Sequence, residues 1–278
     1  MLEPTSPKDI SERIHMLEEE SFSEQIIASE HLECARQLAI ASGDVIKKYF
    51  CTALKIEGKA DHTPVTVADR EAEQAMREIV TETFPEHGFI GEELGEIRSE
   101  AEFVWVVDPI DGTKSFISGN FDFGTVIALL HKGQPILGVI NQPILDHLVI
   151  GNNSRCTFND EVIRMRDCPN LREAVLLATD LLNVGEFQPE KGFRELTSKV
   201  KFSRTWGNCY GYTLLSRGLA DIFVDPIMSP WDLLGLIPII RGAGGVITDY
   251  QGNDPVNGKS IVASNSELHD EVIRILNR

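Results

Sequence analysis

Apolar residues recur along the first third of the chain with the period of helices. Over residues 24–50 they return every three, four or seven positions, which predicts a long amphipathic helix with one residue of low helix propensity, Gly43. A second amphipathic helix is predicted over residues 69–84, and Pro85 ends it. The polar residues 59–66 between these helices predict a loop.

Later segments carry β-rich runs and then a mixture of elements. Runs at residues 125–130, 134–140 and 147–150 are joined by short turns, which predicts an antiparallel meander. Beyond residue 170, strands are predicted at 174–178, 222–224, 246–249 and 261–263, and helices at 188–200, 210–217, 233–241 and 266–276. Pro238 is expected to kink the third of these helices near Leu234. The pattern predicts an α/β fold with helices layered on a sheet.

Composition narrows the class of protein. The 278 residues include 43 acidic and 26 basic side chains, a net charge of −17, which argues against a nucleic-acid partner. No apolar run approaches the ~18 residues of a membrane span, and the N-terminus resembles no signal peptide. We therefore expect no membrane partner and a cytoplasmic location, or an organellar one if a transit peptide was removed. The five cysteines include no Cys-x-x-Cys pair, so neither a zinc site nor a disulfide framework is expected.

One short segment carries the strongest chemical signal. Residues 103–107 are bulky and apolar, which predicts a buried strand, and Asp108 and Asp111 follow it. In a turn, this spacing lets both carboxylates and the Ile110 carbonyl converge on one point, as Mg²⁺ requires. Gly112 and Thr113 then add backbone N–H groups and a hydroxyl. A strand that ends in a solvated Asp-Pro turn is the alternative.

Three more acidic positions decide between these interpretations. They are Asp69 after Thr66-Val67-Ala68, Glu92 after Phe89-Ile90-Gly91, and Asp232 after Pro230-Trp231. Together with residues 108–113, they resemble the motifs of the inositol monophosphatase superfamily, a group of Mg²⁺-dependent phosphatases. Residues 113–119 and 206–212 look most like its histidinol-phosphate phosphatase branch, which serves histidine biosynthesis.

The resemblance implies a fold of alternating layers of helices and sheets, a homodimer and two or three Mg²⁺ ions per subunit, which Mn²⁺ can replace. It implies that Glu92 is catalytic and that Thr113, polarised by Asp69, positions the attacking water, while the N–H groups of Gly112 and Thr113 hold phosphate. The implied metal ligands are Glu92, Asp108, Asp111, Asp232 and the Ile110 carbonyl. Glu93 is an alternative to Glu92, and helix N-caps are the alternative roles of Asp69 and Asp232.

The substrate is expected to be a small phosphorylated metabolite, with histidinol phosphate first. Asp225 matches the position where inositol monophosphatases place an acidic residue on the substrate, and Asn208 is a second candidate contact. Asp225 can instead begin an Asp-Pro turn. Inositol monophosphatase and adenosine 3′,5′-bisphosphate nucleotidase are the enzymatic alternatives, although Lys114-Ser115 departs from the usual motif of each. A divalent-cation-binding module is the non-enzymatic alternative.

These assignments divide the chain into three parts. Residues 1–23 are expected to form a flexible leader. Residues 24–155 are expected to form helices and an antiparallel sheet that carry the metal site. Residues 156–278 are expected to form an α/β part that contributes Asp232 and the substrate contacts, so that the site lies between the two halves.

Overall fold

The computed structural model describes residues 27–53, 55–58 and 64–278. The predicted leader, residues 1–23, lies outside the described residues, as do residues 59–63 of the predicted loop. Within the part that is described, no helix is long and apolar enough to cross a membrane.

Two long helices cover one face of a large sheet. Helix α1 spans Ser29–Tyr49 and helix α2 spans Val67–Thr83, as the apolar periodicity predicts. Gly43 lies inside α1, which continues through it. The two short strands β1 (Glu57–Gly58) and β2 (Pro64–Val65) pair between the helices.

The large sheet contains strands β3 to β10. Their bounds are Gly88–Gly91, Gly95–Ile97, Phe103–Asp111, Gly124–His131, Gln134–Gln142, His147–Gly151, Cys156–Phe158 and Glu161–Val162. The order is β10-β9-β8-β7-β6-β5-β3-β4. Strands β6 to β8 form the predicted antiparallel meander, and β5 pairs antiparallel with β6. Strand β3 runs parallel to β5 with Gly91 opposite Val107. The residue after β3 therefore emerges beside Asp108. The five-residue helix α3, Thr113–Ile117, follows β5.

The second sheet is smaller. Strands β11 to β15 are Val175–Leu177, Phe202–Arg204, Ile222–Asp225, Val246–Thr248 and Ile261–Ser264, in the order β12-β11-β13-β15-β14. Helices α4 to α9 are Val184–Phe187, Glu190–Lys199, Asn208–Ser216, Pro230–Leu233, Leu236–Gly242 and Ser266–Leu276. A 3₁₀ turn spans Pro255–Asn257.

The core shows that these elements form five layers. Alternate residues of β5 face opposite sides: Trp105 and Val107 pack against α1 and α2, whereas Val104 and Val106 join the core that contains α6 and α8. The second sheet closes this central core with Phe223 on one face and packs its other face on α5 and α9. The order helix, sheet, helix, sheet, helix confirms the predicted α/β class with alternating layers.

Two features differ from the prediction. The single helix expected at residues 233–241 is two helices, α7 and α8, which separate at Leu234 and Gly235. The break lies at Leu234, where the kink was predicted. Pro238 is the third residue of α8, where its missing N–H would have no intrahelical acceptor, so it costs α8 no hydrogen bond. The first sheet also extends to Val162, so the change of sheet lies after residue 162 and not between residues 155 and 156.

A ring cluster at the edge of the helical layer predicts acid sensitivity. His31 lies 4.9 Å from Phe103 and 5.3 Å from Phe84, measured between ring centroids. Burial lowers the pKa of both His31 and His87 below the ordinary value of 6.5. The unfolded chain therefore binds protons on these two imidazoles more readily than the folded chain does. The stability that the two buried rings contribute is present above about pH 6.5 and is lost as the pH falls below it.

We expect His31→Phe to weaken this dependence, because phenylalanine keeps a ring in the cluster but has no titratable nitrogen. The check is Tm from about pH 7 to about pH 5. The wild-type Tm should fall more steeply than that of the variant. Parallel curves would show that His31 does not contribute to acid sensitivity.

Candidate metal and phosphate site

A bulge in β5 places two aspartates on the same side of the sheet. In a regular strand, residues three apart point to opposite faces. Here Asp108 pairs with Val126 and Asp111 pairs with Gly124, so β5 contains one extra residue between these pairs. Asp108 and Asp111 both line one cavity of about 460 Å³. The two carboxylates therefore converge as predicted, but they do so on a bulged strand and not in a turn.

Two further carboxylates reach the cavity from neighbouring elements. Glu92 follows β3, and its backbone N–H donates to the Val107 carbonyl at 3.3 Å. Asp232 is the third residue of α7, and its Oδ2 accepts the Ser229 N–H at 3.1 Å. Donor oxygens of Glu92, Asp108 and Asp232 all lie within 4.8 Å of one another. Three of the predicted ligands therefore meet at one point, and Asp111 and Ile110 line the same cavity.

Crowding of buried carboxylates makes this point strongly electronegative. Burial raises the pKa of Asp108 well above its ordinary value, and the charges of Glu92 and Asp232 raise it further. Burial likewise raises the pKa of Asp111 well above its ordinary value and that of Asp232 to about 6. A divalent cation would offset this repulsion, and a donor set of carboxylate and carbonyl oxygens fits Mg²⁺ or Mn²⁺.

The phosphate-binding segment adjoins this cluster. Gly112 has φ +90°, and a Cβ there would lie 2.7 Å from Nδ2 of Asn208, so glycine is required both by conformation and by space. Helix α3 begins at Thr113, and the first N–H groups of a helix have no intrahelical acceptor. Gly112 and Thr113 line the cavity, where the resemblance to the phosphatases places them.

Asp69 and Thr113 do not make the expected hydrogen bond. The Thr113 hydroxyl donates to the Ile110 carbonyl at 3.1 Å, whereas Oδ2 of Asp69 accepts the Thr66 hydroxyl at 2.6 Å and the Thr66 N–H at 2.8 Å. Asp69 is also not the N-cap of α2; that residue is Thr66, and Asp69 is the third residue of the helix. In this structure, the Asp69 carboxylate and the Thr113 hydroxyl each bond to a residue three positions away in sequence.

The two predicted substrate contacts occupy different places. Asn208 lines the cavity and donates from Nδ2 to the Asp122 carbonyl at 2.8 Å. Asp225 is buried and is not among the described residues that line the cavity. Its carboxylate accepts the Thr179 N–H at 3.2 Å and the Tyr212 hydroxyl at 3.1 Å, so it links the end of β13 to the segment after β11 and to α6.

Carboxylates on the cavity wall were missed in the sequence. Asp122 and Asp180 line the cavity together with the four carboxylates of the predicted metal site, and Lys114 is the single cation among the described lining residues. Oδ2 of Asp122 accepts the Gly207 N–H at 3.3 Å, while its Oδ1 is buried and has no hydrogen-bond partner among the residues that the structure describes. The sequence feature that could have revealed Asp122 is its position between the apolar residues Phe121 and Phe123, just before β6.

Glu73 was also missed. It is fully buried on the same face of α2 as Asp69, Ala72 and Met76. An acidic residue within the apolar stripe of a helix was the available signal, because a buried carboxylate needs specific partners.

Clustered carboxylates beside the backbone N–H groups of a helix start are suited to the hydrolysis of phosphate monoesters. The chain is an enzyme of this class, a phosphoric monoester hydrolase. Residues 28–278 match the inositol monophosphatase family, and the chain belongs to that family. This confirms the predicted superfamily and sets aside a binding module without activity.

Relatives and solved structures agree with this assignment. The chain is 43% identical to the bifunctional phosphatase IMPL2, chloroplastic, of Arabidopsis thaliana, over 86% of this chain and 72% of the relative. It is 35% identical to a histidinol-phosphatase of Chlorobaculum parvum, over 87% and 95% of the two chains. The structure of an inositol monophosphatase from Zymomonas mobilis superposes with a TM-score of 0.80 at 37% identity, covering 91% of this chain and all of the other.

Asp108→Asn tests the metal site. The amide oxygen can still accept the Ile110 N–H that Oδ1 of Asp108 accepts at 2.8 Å, but the charge is lost. We expect the rate of phosphate release to fall more than about a hundredfold. This exceeds the loss that is usual when a residue bonded to a metal ligand, and not the ligand itself, is replaced. With a chelator present, the variant should have a higher Tm than the wild type, because one charge is removed from a cluster of carboxylates that repel one another.

The measurement is Tm with and without Mg²⁺, together with phosphate release. Mg²⁺ should raise the Tm of the wild type more than that of the variant, since only a ligand that binds the folded state stabilises it. Full wild-type activity in excess EDTA would contradict the metal site.

Proposed function

We propose that this enzyme is a Mg²⁺-dependent phosphatase whose main substrate is histidinol phosphate. The observation that carries the proposal is the composition of one cavity: it joins the carboxylate cluster and the Gly112–Thr113 segment to a wall that bears two more carboxylates and one lysine. The relatives named bifunctional phosphatase and histidinol-phosphatase support it. The proposal is compatible with a cytoplasmic or an organellar location.

Each residue of the cluster has a role in this proposal. Glu92, Asp108, Asp111, Asp232 and the Ile110 carbonyl would hold two or three Mg²⁺ ions. When bound, these ions lower the pKa of water and neutralise the leaving oxygen. The N–H groups of Gly112 and Thr113 would orient the phosphate oxygens, and the Thr113 hydroxyl would position the attacking water.

Electrostatics favour a cationic leaving group. The chain has a net charge of −17, so phosphate must be attracted by a local positive field. Away from the metal ligands, the cavity wall presents Asp122 and Asp180. Burial raises the pKa of Asp122 to about 6, so its carboxylate is ionised at neutral pH. Histidinol carries an ammonium, and a hydrogen bond from this group to a carboxylate contributes roughly 1.5–3 kcal/mol.

The carboxylates of the cavity wall also predict the order of preference among the alternative substrates. Inositol 1-phosphate has a neutral leaving group and would gain no ionic contact with Asp122. Adenosine 3′,5′-bisphosphate retains a second phosphate, which two carboxylates would repel. The structural similarity to an inositol monophosphatase keeps inositol 1-phosphate as the second candidate.

Rates of phosphate release test this order directly. With saturating Mg²⁺, we expect kcat/KM to decrease from histidinol phosphate to inositol 1-phosphate to adenosine 3′,5′-bisphosphate. The contacts to the ammonium should separate the first two by about tenfold or more. A higher kcat/KM for inositol 1-phosphate than for histidinol phosphate would overturn the substrate assignment.

Asp122→Asn and Asp225→Asn form a matched pair that locates the ammonium contact. The amide oxygen introduced by D122N would still accept the Gly207 N–H, so that only the charge is lost. We expect D122N to lower kcat/KM about tenfold or more for histidinol phosphate, with little change for an aryl phosphate that has no ammonium. D225N changes a carboxylate that the cavity does not expose, so it should affect both substrates by the same factor. Selective loss with D225N alone would restore Asp225 as the contact.

A further inference from the structure

We propose that Glu73 is a positioning residue of the metal site, which holds the turn that presents Glu92. The proposal rests on the carboxylate cluster acting as a metal site and is independent of the identity of the substrate. Glu73 lies in α2 and lines no part of the cavity among the described residues, so it would act through the backbone of the turn.

The carboxylate of Glu73 binds two consecutive backbone groups. Its Oε2 accepts the Glu93 N–H at 2.7 Å, and its Oε1 accepts the Leu94 N–H at 2.8 Å. These are the two residues that follow Glu92. The Glu73 side chain has no solvent exposure, so water does not compete for either bond. Hydrogen bonds from N–H groups to a charged acceptor are among the stronger ones in proteins.

Neighbouring residues hold the Glu73 carboxylate in place. Nη2 of Arg77 lies 3.4 Å from Oε1 of Glu73 and donates to the Gly95 carbonyl at 2.5 Å, which ties the far end of the turn to α2. Gly91 precedes Glu92, and a Cβ at this position would lie 2.0 Å from Oε1 of Glu73. Only glycine permits the strand to approach the carboxylate this closely.

Glu92 is therefore fixed from both sides. Its own N–H is bonded to the Val107 carbonyl at 3.3 Å, which sets its position relative to Asp108, the next residue of β5. The N–H groups that follow it are bonded to Glu73. A metal ion needs the oxygens of Glu92, Asp108 and Asp232 close together despite their repulsion. The bonds from Glu73 link the two residues after Glu92 to α2, and without them the position of Glu92 would be less well defined.

The chemistry requires a carboxylate at position 73. Two adjacent N–H groups need two acceptor oxygens, and glutamine offers one oxygen and an NH₂ group that cannot accept. Glu73→Gln would leave one N–H of the turn without its acceptor at almost unchanged side-chain volume. The variant thus loosens the Glu92 turn without removing a metal ligand.

Calorimetric titration of the full chain with Mg²⁺ and Mn²⁺ tests the proposal without relying on activity. We expect E73Q to raise the Kd for metal about 10- to 100-fold, the range found for partners of metal ligands, with kcat recovering toward wild type at saturating Mg²⁺. E71Q is the control. Glu71 lies on the same helix and binds the Tyr49 hydroxyl and Lys48 at the surface, so metal affinity should not change.

The outcomes separate the possible roles. A lower Tm with an unchanged Kd would show that Glu73 is merely structural and would overturn the proposal. If E73Q does not fold, G91A replaces it, because the added methyl displaces the same carboxylate while keeping its charge; an unchanged Kd in G91A would overturn the proposal equally. If the wild type itself binds no divalent cation, the proposed function fails, which is a different result.

Discussion

Repulsion among buried carboxylates is the constraint on which the rest of the structure depends. Glu92, Asp108 and Asp232 are held within a few ångströms of one another, and burial makes the charge of Asp108 more costly. Backbone N–H groups supply part of the compensation: Ile110 donates to Asp108, Cys209 to Asp111 and Ser229 to Asp232. These three aspartates are thus oriented by backbone groups before any ion arrives, which lowers the entropy that metal binding must overcome.

The layered fold makes such a concentration of charge mechanically possible. Strand β5 packs its alternate residues into two separate cores, one with α1 and α2 and one with α6 and α8. A third small core contains Ile110 and Phe116 and anchors the segment between the bulge and α3. Because Asp232 comes from the later half of the chain and Glu92 from the earlier half, the cluster is complete only when both sheets are in place.

Sequence patterns predicted what local chemistry determines. The two long helices, the meander and the buried strand followed from periodicity, and the clustered carboxylates followed from their spacing and from family resemblance. Contacts distant in sequence were beyond such patterns. Asp225 matched a substrate-binding position, yet its oxygens are occupied by Thr179 and Tyr212. The division of α7 from α8, the last strands of the first sheet and the local bonds of Asp69 depend on packing in the same way.

The site combines a rigid part with a variable part. Glu92, Asp108, Asp111 and Asp232 stand at strand ends, on a bulge or in the first turn of a helix, where the backbone is determined by sheet pairing and capping. Asp122 lies in the segment between α3 and β6, and Asp180 lies in the segment between β11 and α4. Loops tolerate substitution better than paired strands do. Within this architecture, a change of substrate therefore requires only new side chains at wall positions such as 122 and 180. The carboxylates that would hold the metal, and Glu73, can stay unchanged.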